Sequence, residues 1–251
     1  MNDTPLENRF SKYGIYTITD SLELILPNVQ INIDRIGDKA FSYTRKNSEE
    51  NISEKIIPSI SNEIKVELAP IQPLNHPARR TNYVFLKFDK DIFLSEESAA
   101  SVFVHCPIEI GVFLVHNSHR DSLDWVTCDP GNSRFGLYGS PDSGTLCKYA
   151  DVSMAKDMDD SNSYFNGVMK LVLENKLNKG QSISKVIFPI IENSIYYSES
   201  KAILDGIKVS LKKRAVVSIA DVKVDPISTD WKKSPTWEDA GRAKSMEMGM
   251  E

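Results

Sequence analysis

The sequence predicts an all-β fold, predominantly antiparallel, built as two packed sheets or a barrel, with at most a short C-terminal helix. Three observations predict it. Apolar and polar residues alternate with a period of two through much of the chain, which gives each segment one buried and one wet face. The apolar positions are filled largely by Val, Ile, Leu, Phe and Tyr, and β-branched and aromatic side chains suit a pleated surface. Short runs are punctuated by Gly, Pro, Asn and Asp, while the 3.6-residue period of a helix is scarce.

The alternation is clearest in three places. Val29, Ile31 and Ile33 alternate with Gln30, Asn32 and Asp34. Ile64, Val66 and Leu68 alternate with Glu63, Lys65 and Glu67, which places Glu67 on the wet face. Ile207, Val209 and Leu211 alternate with Lys208, Ser210 and Lys212. Strands are expected near 14–19, 22–26, 29–36, 40–45, 63–68, 83–88, 101–106, 108–115, 122–128, 133–139, 145–152, 164–174, 185–191, 203–212 and 215–224. Residues 46–61 are polar and read as a loop. Residues 69–80 hold Pro70, Pro73 and Pro77 and read as an extended crossing between sheets. Residues 155–163 read as an acidic loop. Residues 1–226 form the globular unit, with a division into two sub-domains placed near 70–80 or 100–107. Residues 227–251 read as a tail. Within it the sequence offers a short docking helix capped at Thr236 and carrying Trp237, Ala240, Ala243 and Met248, weighed against a frayed terminus.

Composition narrows the class. The chain has 251 residues, of which 41% are hydrophobic and 26% charged, enough for a sizeable core. Its net charge of −5 lacks the electrostatic footprint of a nucleic-acid binder, so no nucleic acid is expected as partner. No apolar run reaches the length of a transmembrane segment, and no secretory signal is evident at the N-terminus. Three cysteines without a CxxC pair point to reduced thiols and a cytoplasmic location.

The stretch 102–115 is apolar at every even position, from Val102 to Leu114. Cys106 falls in that register and reads as an inert core thiol. Pro107 cannot donate to a ladder, so a bend or edge is expected there. Glu109 lies on the other face of this strand, and Gly111 beside it leaves a gap. Residues 133–150 read as a β-hairpin turning at Pro141, Asp142 and Gly144. Arg134, Gly136 and Tyr138 share one face of it, where Gly136 again leaves room for something to approach, with Lys148 across the hairpin. A carboxylate inside an apolar strand needs a cation or hydrogen bonds. The candidate ligand site is therefore Arg45, Glu109, Arg134, Tyr138 and Lys148, weighed against a merely solvated charged face. A weaker alternative is a metal held by His116, His119, Asp121 and Asp124. No cofactor is called for, since GxGxxG, P-loop, GxSxG and HExxH patterns are absent.

The segments Tyr43-Thr44-Arg45-Lys46, residues 107–113 (PIEIGVF), residues 134–139 (RFGLYG) and Leu146-Cys147-Lys148-Tyr149 resemble a family catalogued as domain of unknown function 432. The resemblance spans most of residues 10–224. It implies an archaeal cytosolic protein and supplies no catalytic residues. Two functions are expected from the residues. The preferred one is a non-enzymatic module that binds a protein or small-molecule ligand, with a homo-oligomer formed through the C-terminal tail as one arrangement. The alternative is a metal-dependent enzyme on a β-barrel or cupin-like scaffold with inward-facing His, Glu and Asp.

Overall fold

The computed structural model describes residues 10–48, 52–73, 81–129, 134–161, 163–190, 192–214 and 217–238. The chain begins with β1 (Gly14–Ile18) and then runs through a meander of β2 (Ser21–Leu26), β3 (Val29–Gly37), β4 (Ala40–Asn47) and β5 (Ile52–Pro58). It returns beside β1 as β6 (Ile64–Ile71), then forms β7 (Tyr83–Leu94) and β8 (Ala99–Pro107). The hairpin β9 (Glu109–His116) and β10 (His119–Val126) follows, then β11 (Phe135–Tyr138), β12 (Thr145–Val152) and β13 (Met154–Ala155). The last strands are β14 (Asn166–Asn175), β15 (Gln181–Pro189), β16 (Ile195–Ser198), β17 (Lys201–Arg214), β18 (Val217–Asp225) and β19 (Lys232–Lys233). No helix occurs among the described residues.

These strands form four sheets, none closed into a barrel: β2-β3-β4-β5, β1-β6-β9-β10, β11-β12-β7-β15, and a larger sheet ordered β13-β8-β14-β17-β16-β19 with β18 also paired to β17. The described pairings are antiparallel except β7 with β12 and β14 with β17. Two hydrophobic cores result. The first two sheets share Ile31, Ile33, Phe41, Tyr43, Leu68, Ile110 and Val112. The other two share Val84, Leu86, Val104, Cys106, Met169, Leu171, Phe188 and Ile207. Each core is lined by the alternate residues of its strands, as a sandwich requires.

The even-numbered run through 102–114 passes from one core to the other. Val104, Cys106 and Ile108 pack in the second core, and Ile110 and Val112 pack in the first. The switch falls just after Pro107, the last residue of β8 and the place where a ladder donor is missing. Beyond it, residues 109–113 are buried on both faces. Pro70 lies within β6 at a matching edge: β1 reaches only as far as Leu68, so no strand on that side needs its missing N–H.

One expectation changes, and one lies mostly outside the described residues. Residues 46–61 hold a strand, β5, rather than only a loop. It buries just Ile57 and is held at the sheet edge by backbone pairing to β4, so it shows no apolar alternation. Residues 227–238 are docked without a helix at Thr236; the expected helix positions from 239 onward lie outside the described residues. β19 pairs with β16, Ser234 donates to the Pro70 carbonyl, and Trp237 meets the Phe113 ring edge-on at 5.8 Å. The Glu238 N–H donates to Ser122 Oγ at 3.2 Å. This segment is strapped over the β1-β6-β9-β10 sheet, where Trp237 packs against the first core.

All three cysteines are free and buried. Burial pushes the Cys106 and Cys128 thiols up to about 12, so little thiolate forms near neutrality. Native protein should therefore react slowly with a thiol reagent at both positions and rapidly once denatured. Fast native labelling at Cys106, read by mass spectrometry, would contradict its place in the core.

Candidate functional site

The five residues read as a candidate site fall in three places. Arg45 of β4 donates through Nε to Asp124 at 2.7 Å. Asp124 also accepts from the Tyr43 hydroxyl at 2.8 Å, with Lys55 Nζ 3.8 Å away. Burial and the Asp124 carboxylate push the Tyr43 hydroxyl well above its ordinary range, so it stays a neutral donor. Glu109 and Lys148 do come together electrostatically, and both are buried. Burial pushes the Lys148 ammonium down, and the charges of Glu109 and Asp129 partly oppose that shift. Gly111 leaves no gap beside Glu109, because the Phe113 ring and Ile71 fill the space over its α-carbon.

Arg134 and Tyr138 stand apart from those buried charges, on the solvent face of the β11-β12-β7-β15 sheet. Here Gly136 is covered by the rings of Tyr149 and Phe85. Phe85 meets Tyr149 edge-on at 5.3 Å and Tyr138 at 6.4 Å. Arg134 lies 5.9 Å from the Tyr149 ring centre and 3.5 Å from Asp151. Lys185 of β15 sits 5.7 Å from the Phe85 ring and 5.8 Å from the Tyr138 ring. It makes no ion pair among the described residues. A lysine over an exposed ring gains about 0.5–1 kcal/mol. Lys87 stands directly opposite Lys185 in register, and such like-charge neighbours cost about 0.2–1 kcal/mol. The two effects nearly cancel, so this arrangement contributes little to folding.

Beside these rings a cleft of about 350 Å³ opens between the β15 edge and the β17–β18 hairpin. Ile183, Val186, Ile187, Val209, Leu211 and Val222 give it apolar walls, and Tyr83, Tyr138, Thr145 and Lys185 supply its polar groups. Tyr83 and Tyr138 are 41% and 47% exposed, so both rings remain available to a visitor. A larger cleft of about 560 Å³ near Ile60 and His116 has no Tyr, Phe or Trp in its lining and pairs its Lys65 with Glu63.

The most deeply buried carboxylate went unread in the sequence. Glu67 of β6 has no solvent exposure. It accepts from the Tyr197 hydroxyl and the Lys232 ammonium, each at 2.5 Å, and from the Arg120 guanidinium. Burial alone would raise its pKa. The hydrogen bonds from Lys232, Tyr197 and Arg120, with the Lys232 charge, outweigh that and hold it below the ordinary carboxylate range.

The His and Asp residues of the alternative metal set are spread out. His119 pairs with Asp121 at 2.9 Å on the surface, His116 is exposed, and Asp124 is committed to Arg45 and Tyr43. His105 Nδ1 hydrogen-bonds with Ser153 Oγ at 2.9 Å and Nε2 donates to the Asp160 carbonyl at 2.7 Å, tethering the acidic loop. No three such side chains converge among the described residues.

The fold is thus an all-β, sandwich-like assembly of packed, mainly antiparallel sheets. The chain belongs to the family described as protein of unknown function (DUF432), whose model matches residues 12–248. No curated protein and no solved structure matches it. No helix among the described residues is long and apolar enough to cross a membrane.

Two buried acids give direct tests. A carboxylate whose folded pKa lies below its unfolded value stabilises fully above that unfolded value, about 4.3 for Glu, and loses the contribution as pH falls through the folded pKa. Glu67→Gln should therefore lower the melting temperature most near neutrality, and the gap from wild type should narrow as pH falls below about 4.3. A constant gap as pH falls below that value would show that Glu67 does not titrate as described. Glu109→Gln strips a counter-charge from buried Lys148 and should destabilise by about 3 kcal/mol, the low end for removing one partner of a buried charge pair, because Asp129 remains. Denaturant unfolding with a change under about 0.5 kcal/mol, typical of surface substitutions, would remove Glu109 from that role.

Proposed function

We propose that this protein is a non-catalytic binding module that takes a small molecule in the cleft between β15 and the β17–β18 hairpin. One observation carries the reading: an apolar cleft of about 350 Å³ bordered by two half-exposed tyrosines and a lysine free of any ion pair among the described residues. Small-molecule sites have this make-up, with mostly apolar walls and a few placed polar groups. The buried charged groups described above are matched to one another, whereas these groups face solvent. The three buried, unpaired thiols support work in a reducing compartment such as the cytosol.

An apolar fluorescent probe, N-phenyl-1-naphthylamine, should brighten on titration with the intact protein. Tyr83→Ala and Tyr138→Ala should each weaken that binding severalfold while leaving the melting temperature within a degree or two. Probe binding indifferent to both substitutions would move the site elsewhere.

A further inference from the structure

The solvent face of the β11-β12-β7-β15 sheet is ordered in rows. Tyr149, Phe85 and Ile187 stand side by side across β12, β7 and β15. Two residues further along the strands, on the same face, the next row is Asp151, Lys87 and Lys185. An aromatic row therefore lies against a charged one. The single acid in that row is already engaged, since Asp151 holds Arg134 at 3.5 Å and the Tyr149 hydroxyl at 2.7 Å. Lys87 and Lys185 have no ion pair among the described residues, although they oppose each other across an antiparallel pair. Like charges so placed repel, and a bound anion is what would relieve them. Lys185 also borders the cleft and lies over the Phe85 and Tyr138 rings.

We propose that the ligand of this cleft is a planar ring bearing an anionic group, of the size and chemistry of a nucleoside monophosphate. Its ring sits against Tyr83 and Tyr138 over the apolar wall, and its anion is met by Lys185 of the lining and by Lys87, which stands opposite Lys185 in register just outside it. The inference rests on the cleft being the binding site and adds the class of ligand. Half-exposed tyrosines offer π-faces on which any planar ring can stack. Lysine meets phosphate as a point charge and needs no forked geometry. The cleft has the volume of a small-molecule site, and a chain of net charge −5 does not attract a long polyanion, so a free monomeric ligand fits better than a nucleic-acid strand.

Calorimetric titration of the full chain at low salt should use AMP and UMP against adenosine and uridine. The monophosphates should bind at least tenfold more tightly than their nucleosides. Lys185→Ala and Lys87→Ala should erase that advantage without shifting the melting temperature, and Lys185→Arg should retain most of it. Tyr138→Ala should weaken nucleoside and nucleotide alike. Equal affinity for the two forms, or no binding of either, overturns the inference. In that event, Tyr138-dependent binding of N-phenyl-1-naphthylamine shows that the cleft reading survives, and its absence shows that both fail. Affinity for single-stranded oligonucleotides that climbs with length would overturn the assignment to a free monomer.

Discussion

Glu67 lies in the middle of β6 with no contact to water, and a buried carboxylate persists only where its charge is met. Its partners come from three separate parts of the chain: Arg120 on β10, Tyr197 on β16 and Lys232 on β19. Each must be in place before the others are fully useful. Around this point the first core's β6 and β10 are held to β16, which belongs to the large sheet of the second core, and the strap from 232 to 238 is held over both. Ser234 on the Pro70 carbonyl and Trp237 on Phe113 continue the same seam. Removing the carboxylate would leave Arg120 and Lys232 without their counter-charge, though both are partly exposed and can turn toward water.

The folding pattern was readable wherever one strand face decides the matter. Alternation placed Ile31, Val66, Cys106 and Val209 in cores, where they are found. It misplaced Glu67 for a physical reason. The period-two rule sees one covering layer, while β6 has two, and the second comes from residues 130 and 165 positions away. β5 was missed because an edge strand that buries one side chain has no apolar period to display. At the candidate site, Gly136 and Gly111 both looked like openings. The rings that fill them, Tyr149, Phe85 and Phe113, reach them through folding geometry that spacing does not encode. Arg45 was grouped with Glu109, yet its acid is Asp124, 79 residues on, and nothing local distinguishes the two carboxylates.

The molecule handles charge in two ways. Inside, each acid described is matched: Glu67 by three donors, Asp124 by Arg45 and Tyr43, and Glu109 with Lys148 nearby. Such pairs add modestly to stability but penalise any shifted strand register, which would strand a charge out of water. On the face of the β11-β12-β7-β15 sheet the matching stops, and Lys87 and Lys185 remain in surplus beside aromatic rings. Sites that rest on unbalanced surface groups cost little folding energy to alter, so sequence can drift there under selection for a different ligand without endangering the cores.

The switch at Pro107 bears on how the chain is made. The first core needs β9 and β10, but β7 and β8, which belong to the second core, are synthesised before them. A ribosome therefore releases two half-buildable sheets in alternation. The sheet β1-β6-β9-β10 stays open until about residue 126 has emerged, and Glu67 waits for Lys232, 165 residues further along the chain. Long-range pairing of this kind is slow and leaves strand edges bare in the interval. A nascent chain halted before residue 232 would hold Glu67 without its Lys232 partner and leave the edge of β16 without β19.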